Sequence, residues 1–128
     1  MQIAVVDNDK ALLRSLAIVL GGKGRHITCF DGPQSAAQVI GVTLQPDLLI
    51  IDYLMPGCDG IELLLRVRPY LTKKCSIIMI SGHTEMLDQR RIKELNLSGF
   101  IPKPIDLNEL YNIVAQEERA RRRNHESN

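Results

Sequence analysis

Short apolar runs alternate along this chain with longer segments whose apolar residues recur every three or four positions. The runs at 3–6, 48–51, 77–80 and 99–102 predict buried strands, and residues 25–30 predict one more. The segments between them predict helices. Strands joined by helical crossovers pair in parallel and are covered on both faces. The pattern therefore predicts one α/β domain built from five successive strand–helix units.

The first helix has the clearest boundaries. It is predicted over about 10–20, with Asp9 as the N-cap and Gly21–Gly22 at its end. Its buried stripe is predicted to contain the apolar residues Leu12, Leu16, Val19 and Leu20. The other helices are placed from Pro33, from about 61 to 67 behind Asp59, from Thr84 to about Leu95, and from about Leu107 behind Asp106.

Composition adds limits and no new elements. The 128 residues suit one domain. The net charge of +1 argues against a strongly basic domain of the kind that binds nucleic acid or an anionic membrane. No apolar stretch approaches the roughly 20 residues of a membrane span. Cys29, Cys58 and Cys75 show no metal or disulfide spacing, which favours reduced thiols in a cytoplasmic protein. We place the domain at 1–116, and the polar, arginine-rich 117–128 either extends the last helix or is disordered.

Chemically active side chains follow the predicted strands. Asp7 and Asp52 each end an apolar run, Ser81 follows another, and Lys103 comes directly after the last one, between two prolines. The carboxyl ends of parallel strands meet at one edge of a sheet, where such folds bind ligands. Two carboxylates and a backbone carbonyl suit a hard cation such as Mg²⁺. A lysine and a hydroxyl suit a phosphoryl group. We therefore expect a polar pocket for both.

The motifs that carry this chemistry resemble those of the receiver domain of bacterial two-component response regulators, over roughly residues 2–116. The matching segments are Val5-Val6-Asp7-Asn8-Asp9, Ile51-Asp52-Tyr53-Leu54-Met55-Pro56 with Asp59-Gly60, Ile80-Ser81-Gly82, and Lys103-Pro104. The resemblance implies a flavodoxin-like three-layer fold with a parallel five-stranded sheet in the order 2-1-3-4-5.

The resemblance also implies roles for individual residues. Asp52 would be the phosphoacceptor, and Mg²⁺ or Mn²⁺ would be bound by Asp7, Asp52, Asn8 and the backbone carbonyl of Leu54. Lys103, in a typically cis peptide bond to Pro104, would assist the transfer. Ser81 would be the switch hydroxyl and Phe100 the switch aromatic. Leu54 and His83 would flank the pocket mouth.

The implied partners are a sensor histidine kinase or a histidine phosphotransfer protein. A homodimer through the face of helix 4, strand 5 and helix 5, near Arg91, Lys93, Asn108 and Tyr111, is one implied output. No membrane is implied, and nucleic acid would be reached only through an output domain that this chain lacks. The implied protein is cytoplasmic and not an enzyme, beyond metal-dependent self-phosphorylation and autodephosphorylation.

One position departs from the family pattern. Receiver domains usually carry two consecutive acids after the first strand, whereas this chain has Asp7-Asn8, and Asp9 is expected to cap the helix. The pocket then carries a formal charge near −1 instead of −2, which weakens its attraction for a divalent cation. This departure favours an alternative, a degenerate receiver that acts as a phosphate-independent interaction module.

An enzyme of similar topology is a third alternative. A flavodoxin would need a phosphate-cradling loop after the first strand, where this chain has Asp7-Asn8-Asp9. A haloacid-type phosphatase would need a second acid two residues after its nucleophile, where this chain has Leu54.

Overall fold

The computed structural model describes residues 1–22, 24–82 and 89–126, with the backbone alone at 89, 91, 125 and 126. The strands are β1 (Gln2–Val6), β2 (His26–Phe30), β3 (Leu48–Asp52), β4 (Leu54–Met55), β5 (Cys58–Asp59), β6 (Ser76–Ser81) and β7 (Gly99–Pro102). The helices are α1 (Lys10–Leu20), α2 (Pro33–Val39), α3 (Gly60–Val67), α4 (Gln89–Glu94) and α5 (Leu107–Glu126), with a 3₁₀ turn at Arg68–Tyr70.

The central sheet has five parallel strands in the order β2-β1-β3-β6-β7. Counted among themselves, these strands have the order 2-1-3-4-5, so the predicted fold class and strand order are confirmed. β4 and β5 form a separate antiparallel hairpin directly after β3. Gly57, with a φ of 81°, lies in its turn. The sequence predicted a turn at this point but not the two short strands, because two residues are too few to show a periodicity.

Side chains alternate between two cores, one on each face of the sheet. Ala4, Leu49 and Met79 face the core formed with α2 and α3. Their neighbours Val5 and Ile50 face the core formed with α1 and α5. All five residues of β3 are buried, as expected of a central strand with helices on both faces.

The buried stripe of α1 differs from the prediction. Leu13, Leu16 and Leu20 are buried, whereas Leu12 and Val19 are only partly buried. Adjacent residues of a helix point about 100° apart. A small rotation of α1 about its axis therefore buries a different but overlapping set of its apolar residues. In a helix this rich in apolar residues, several stripes fit the sequence, and the choice is made by packing against α5.

The predicted N-caps are confirmed. The carboxylate of Asp9 accepts a hydrogen bond from the backbone N–H of Leu12 at 3.1 Å, and that of Asp59 accepts one from Glu62 at 2.8 Å. Asp106 accepts from Asn108 and Glu109 at 2.9 and 3.3 Å. The predicted helix start at Thr84, the flanking residue His83 and the side chain of Arg91 lie outside the described residues.

The last helix continues well past residue 116, and its second half is fixed to the amino ends of three strands. Glu118 forms an ion pair with Arg25 at 2.6 Å, in which the two side chains are only 18% and 6% exposed. The hydroxyl of Ser76 donates to Glu117 at 2.8 Å, and Arg121 lies 3.7 Å from Asp47. We call these six residues the amino-end clamp: Arg25, Asp47, Ser76, Glu117, Glu118 and Arg121.

Of the helices described, none combines the length and apolar character that a bilayer crossing requires.

Candidate functional site

The buried polar side chains lie together at one edge of the central sheet. Among the residues that the structure describes, they are Asp7, Asp52 and Ser81, with exposed fractions of 0%, 3% and 0%. Asp52 and Ser81 are the last residues of β3 and β6, and Asp7 follows directly after β1. Burying a polar group without compensation is costly, so this grouping at one edge of the sheet points to a functional site.

Strand register brings the two acids together. Val6 pairs with Ile51 in the parallel ladder between β1 and β3, so the next residues, Asp7 and Asp52, are neighbours at the ends of these strands. The ladder between β6 and β7 pairs Ser81 with Pro102, and Lys103 follows at once. Four residues that are far apart in sequence therefore meet because their strands are parallel and in register.

Lys103 bridges the two carboxylates. Its ammonium nitrogen lies 3.2 Å from Oδ2 of Asp7 and 3.2 Å from Oδ2 of Asp52. Its backbone N–H donates to the carbonyl of Ser81 at 2.9 Å, which fixes the start of the side chain. The following bond to Pro104 is cis, as the family resemblance implies. The side chain is 30% exposed, so part of it still reaches solvent.

Ionisation of the pocket reflects this crowding. Burial and the negative charge of Asp7 raise the pKa of the Asp52 carboxyl, although Lys103 and the backbone N–H of Leu54 oppose the change. Burial lowers the pKa of Lys103, but the two carboxylates outweigh it and the net direction is upward. The ammonium is therefore held charged between the acids, and the Asp52 carboxylate lies where its negative charge is unfavourable.

The donor set suits a hard cation only in part. Oδ1 of Asp7 accepts from the backbone N–H of Asp9 at 2.8 Å, while its buried Oδ2 accepts no hydrogen bond among the described residues and has Lys103 as its ionic neighbour. Such an oxygen, beside a second carboxylate, fits a cation ligand. The Asp9 carboxylate is occupied at the helix cap, and Asn8 is exposed. In the described parts of the chain, no three acidic, histidine or cysteine side chains cluster as a metal site.

Gly60 is a supporting residue whose role the sequence did not reveal. A Cβ at this position would lie 2.4 Å from the carbonyl oxygen of Asp52 and 2.9 Å from Cγ2 of Ile51. The backbone N–H of Gly60 also donates to the carbonyl of Tyr53 at 2.6 Å. The first residue of α3 therefore packs directly on the backbone that carries Asp52. Only the Asp59-Gly60 motif signalled that a glycine belonged here.

Ser81 and Phe100 lie on neighbouring strands and on the same face of the sheet. Phe100 pairs with Met79, two residues before Ser81, and is partly buried against the core formed with α2 and α3. Leu54 is 54% exposed after Asp52. The roles predicted for Ser81, Phe100 and Leu54 stay predictions.

The fold and the site together define a class: an α/β domain with a lysine-bridged pair of acids at the carboxyl edge of its parallel sheet. The family model described as the response regulator receiver domain matches residues 3–115. The chain belongs to the response regulator receiver domain family, the signalling domains of two-component systems. Such domains are generally not enzymes, and the family generally binds Mg²⁺ in its acidic pocket.

Curated relatives agree with this assignment. The phosphate regulon transcriptional regulatory protein PhoB of Pseudomonas aeruginosa is 32% identical over 109 residues, which cover 84% of this chain and 47% of that protein. The DNA-binding response regulator MtrA of Mycobacterium tuberculosis is 33% identical over 110 residues, covering 85% and 46%. The chain thus spans about half the length of the curated relatives it matches.

Solved structures support the same fold. The response regulator receiver protein of Pseudomonas putida has a TM-score of 0.76 at 26% identity, covering 90% of this chain and 95% of that one. The N-terminal domain of an uncharacterized protein from Wolinella succinogenes has a TM-score of 0.81 at 24% identity, covering 94% and 96%.

Proposed function

We propose that Asp52 accepts a phosphoryl group from a sensor histidine kinase or a histidine phosphotransfer protein. The observation that carries the proposal is the bridge from Lys103 to both Asp7 and Asp52, at 3.2 Å each, at the carboxyl edge of the sheet. A buried carboxylate with a raised pKa and a fixed ammonium beside it is suited to nucleophilic attack on an anionic group.

The transfer requires little covalent chemistry from the protein. A carboxylate oxygen of Asp52 forms the new O–P bond while the N–P bond to the donor imidazole breaks, and the imidazole takes up a proton. Negative charge on the phosphoryl oxygens is stabilised by donors already aimed at them. Lys103 supplies a cation, and the hydroxyl of Ser81 supplies a hydrogen bond. Asp7, Asp52, Asn8 and the Leu54 carbonyl would hold Mg²⁺ or Mn²⁺, and the bound cation would neutralise further charge.

The proposed output is a population shift on the face formed by α4, β7 and α5. The new phosphoryl group attracts the hydroxyl of Ser81, and Phe100, on the same face of the sheet, moves into the space that is vacated. A partner or a second copy of the chain then binds differently near Lys93, Asn108 and Tyr111. Nucleic acid is reached only through a separate output domain. The receiver domain itself acts in the cytoplasm.

Asn8 favours one alternative, a degenerate receiver that binds its partners regardless of phosphate. Asn8 supplies no charge at the usual second acid, so cation binding and phosphorylation would be too weak to regulate the surface.

Phosphorylation by small-molecule donors tests the proposal. Acetyl phosphate or phosphoramidate with Mg²⁺ should add one phosphoryl group to the protein, detected by intact-mass spectrometry. Asp52→Asn should remain unmodified, whereas the matched variant Asp31→Asn, which changes an exposed acid, should label normally. Equal labelling of the parent and Asp52→Asn would exclude Asp52 as the acceptor. No labelling of the parent under any condition would favour the degenerate module.

A further inference from the structure

A cleft lies at the amino end of the central sheet, on the side of the core formed with α2 and α3. Its volume is about 340 Å³, and it is lined by Arg68, Leu71, Thr72, Lys73, Cys75 and Ile77. Ile77 lies near the start of β6, whereas Ser81 ends that strand. Four residues of a strand span about 13 Å, so this cleft is separate from the pocket around Asp52.

The guanidinium of Arg68 is held in place by the end of α4. Its Nη1 and Nη2 groups donate to the backbone carbonyls of Leu95 and Asn96, the second at 3.4 Å. Both acceptors are neutral, so they orient the side chain without cancelling its charge. A guanidinium has five N–H donors, so three others remain. Two parallel N–H groups of this kind match the oxygens of a carboxylate or a phosphate.

Lys73 brings a second positive charge to the cleft. It is exposed in a turn in which the backbone N–H of Cys75 donates to the carbonyl of Thr72 at 3.1 Å. Burial raises the pKa of the Cys75 thiol to about 11, although the nearby Arg121 and Arg68 oppose the change. The thiol is therefore neutral at ordinary pH. With one charge each from Arg68 and Lys73, the lining carries a net charge of about +2.

The acids nearest to Cys75 belong to the amino-end clamp. Asp47 lies 3.7 Å from Arg121, and Glu117 accepts a hydrogen bond from Ser76 at 2.8 Å. These carboxylates are engaged within the clamp, so they do not supply the counterions of the cleft.

We propose that this cleft binds a small organic anion through a carboxylate or phosphate group, with Arg68 as the oriented donor and Lys73 as the second cation. The side chain of Leu71 contacts the carbon part of the ligand, and the hydroxyl of Thr72 supplies a further hydrogen bond. Ligand pockets typically have volumes of about 300–1,000 Å³, so a cleft of about 340 Å³ suits a molecule with few carbon atoms. This site is independent of phosphoryl transfer.

Amide NMR titrations with inorganic phosphate and with succinate test the site. They are run without divalent cations, and sodium chloride at the same ionic strength is the control for general screening. Saturable shifts should centre on 72–75 and on the amides of Asn96 and Leu97, with dissociation constants of roughly 1–10 mM. Binding of either probe supports the site and identifies the group that it accepts. Shifts no larger than those with chloride, for both probes, would overturn the inference.

Beryllofluoride with Mg²⁺, a stand-in for the phosphoryl group on Asp52, gives the reference pattern for the other pocket. If the shifts with phosphate and succinate follow this pattern around Asp7 and Lys103 instead of centring on 72–75, the anion binds there and the inference fails. Asp52→Asn should bind both probes in the cleft as the parent does. The failure of this inference and the failure of the function proposed for Asp52 are therefore distinguishable.

Two neighbouring lysines provide matched variants. Both are exposed and carry the same charge, but Lys73 lines the cleft and Lys74 does not. Lys73→Gln should weaken binding by roughly three- to tenfold, the effect of one charge at several ångströms, and Lys74→Gln by less than about twofold. Equal effects of the two would indicate a diffuse basic surface and overturn the site.

Arg68→Lys keeps the charge but removes the paired N–H groups. It should weaken binding by at least as much as Lys73→Gln, with circular dichroism confirming that the variant is folded. A folded Arg68→Lys protein that binds like the parent would show that the guanidinium is not the oriented donor, and the inference would be wrong.

Discussion

The carboxylate of Asp52 is unfavourable for the folded protein at neutral pH. Burial and the nearby Asp7 raise its pKa above that of the unfolded chain, so the folded state prefers the protonated form. The cost of ionisation is absent below the unfolded pKa and grows as the pH rises through the folded value. Stability is therefore partly given up to keep this carboxylate in place.

Asp52→Asn should be more stable than the parent at neutral pH, because it removes the charge that the fold disfavours. The difference should be smallest near pH 4 and increase with pH until the Asp52 carboxyl of the parent is fully ionised. Urea unfolding of both proteins at a series of pH values measures this difference. The exposed change Asp31→Asn should show no such trend. If the stability difference between Asp52→Asn and the parent were the same at every pH, the raised pKa of Asp52 would be contradicted.

Gly60→Ala should disturb the backbone of Asp52 without touching the side chains of the pocket. The added methyl would meet the carbonyl of Asp52 at 2.4 Å, so β3 or the start of α3 must shift. We expect a loss of about 1–3 kcal/mol in the free energy of unfolding, with slower phosphorylation of the folded fraction. Chemical denaturation and the mass assay measure the two effects.

Gly32→Ala is the matched control, because a Cβ at Gly32 meets no atom within 4 Å and its φ of −170° is open to any residue. It should cost less than about 1 kcal/mol and leave labelling unchanged. Equal effects of the two substitutions would remove the steric explanation.

The acids and the lysine were predictable from the sequence, whereas Gly60 was not. Asp7, Asp52 and Lys103 each follow an apolar run, and parallel strands bring such positions to one edge. The role of Gly60 depends on which backbone crosses it in three dimensions, and a single glycine gives no sign of that. The distance between the Asp52 carboxylate and the Lys103 ammonium likewise depends on the register of the strands, which the sequence does not show.

At the scale of elements, the caps and ends of the helices were better predicted than their buried faces. Asp9 and Asp59 act through the backbone within three residues, so local sequence determines them. The stripe of α1 depends on α5, which is about 90 residues further along the chain. The continuation of α5 past residue 116 also depends on distant partners, because the contacts that fix it come from the starts of β2, β3 and β6.

Breaking the amino-end clamp should loosen the end of α5. Arg25→Met leaves Glu118 without its cation in a largely buried place, and we expect a loss of about 1–3 kcal/mol. Glu118→Gln should also destabilise the protein. The double substitution should cost less than the sum, because the remaining partner of each single variant is then absent. Denaturation measures stability, and hydrogen exchange at 116–126 should become faster.

Lys10→Met is the matched control for the clamp. It breaks the ion pair with Asp31 at 3.7 Å, in which both side chains are more than half exposed, and should cost less than about 0.5 kcal/mol. Strictly additive effects of Arg25→Met and Glu118→Gln would show that their contact contributes no coupling.

At the scale of the whole molecule, the parallel sheet was predictable from its helical crossovers, which allow few arrangements, and its strand order came from the family resemblance. The proposed output face was not predictable in this way, since it rests on the family resemblance and on no pattern in the chain. The two groups of interacting polar side chains lie at opposite ends of the sheet. The pocket lies at the carboxyl edge, and the clamp anchors α5 at the amino edge.

Beryllofluoride binding should change the carboxyl half of the molecule and spare the clamp. We expect amide chemical-shift changes at Ser81, through β7 and in the first turns of α5, and small changes at 117–126, where the helix is tied to the strands. Two-dimensional NMR of the apo and beryllofluoride-bound protein measures them. Changes confined to the loops after β1 and β3 would instead support a phosphate-independent interaction module.

The bridge from Lys103 to both acids also bears on how the protein reaches its native state. Pairing of β1 with β3 brings two carboxylates together, and in some proteins whose ligand groups meet only in the folded state, metal binding is coupled to folding. Here the compensating charge is part of the polypeptide and arrives when β7 joins the sheet edge. The chain carries its own counterion for this pair of acids, so we expect it to complete folding without a metal ion.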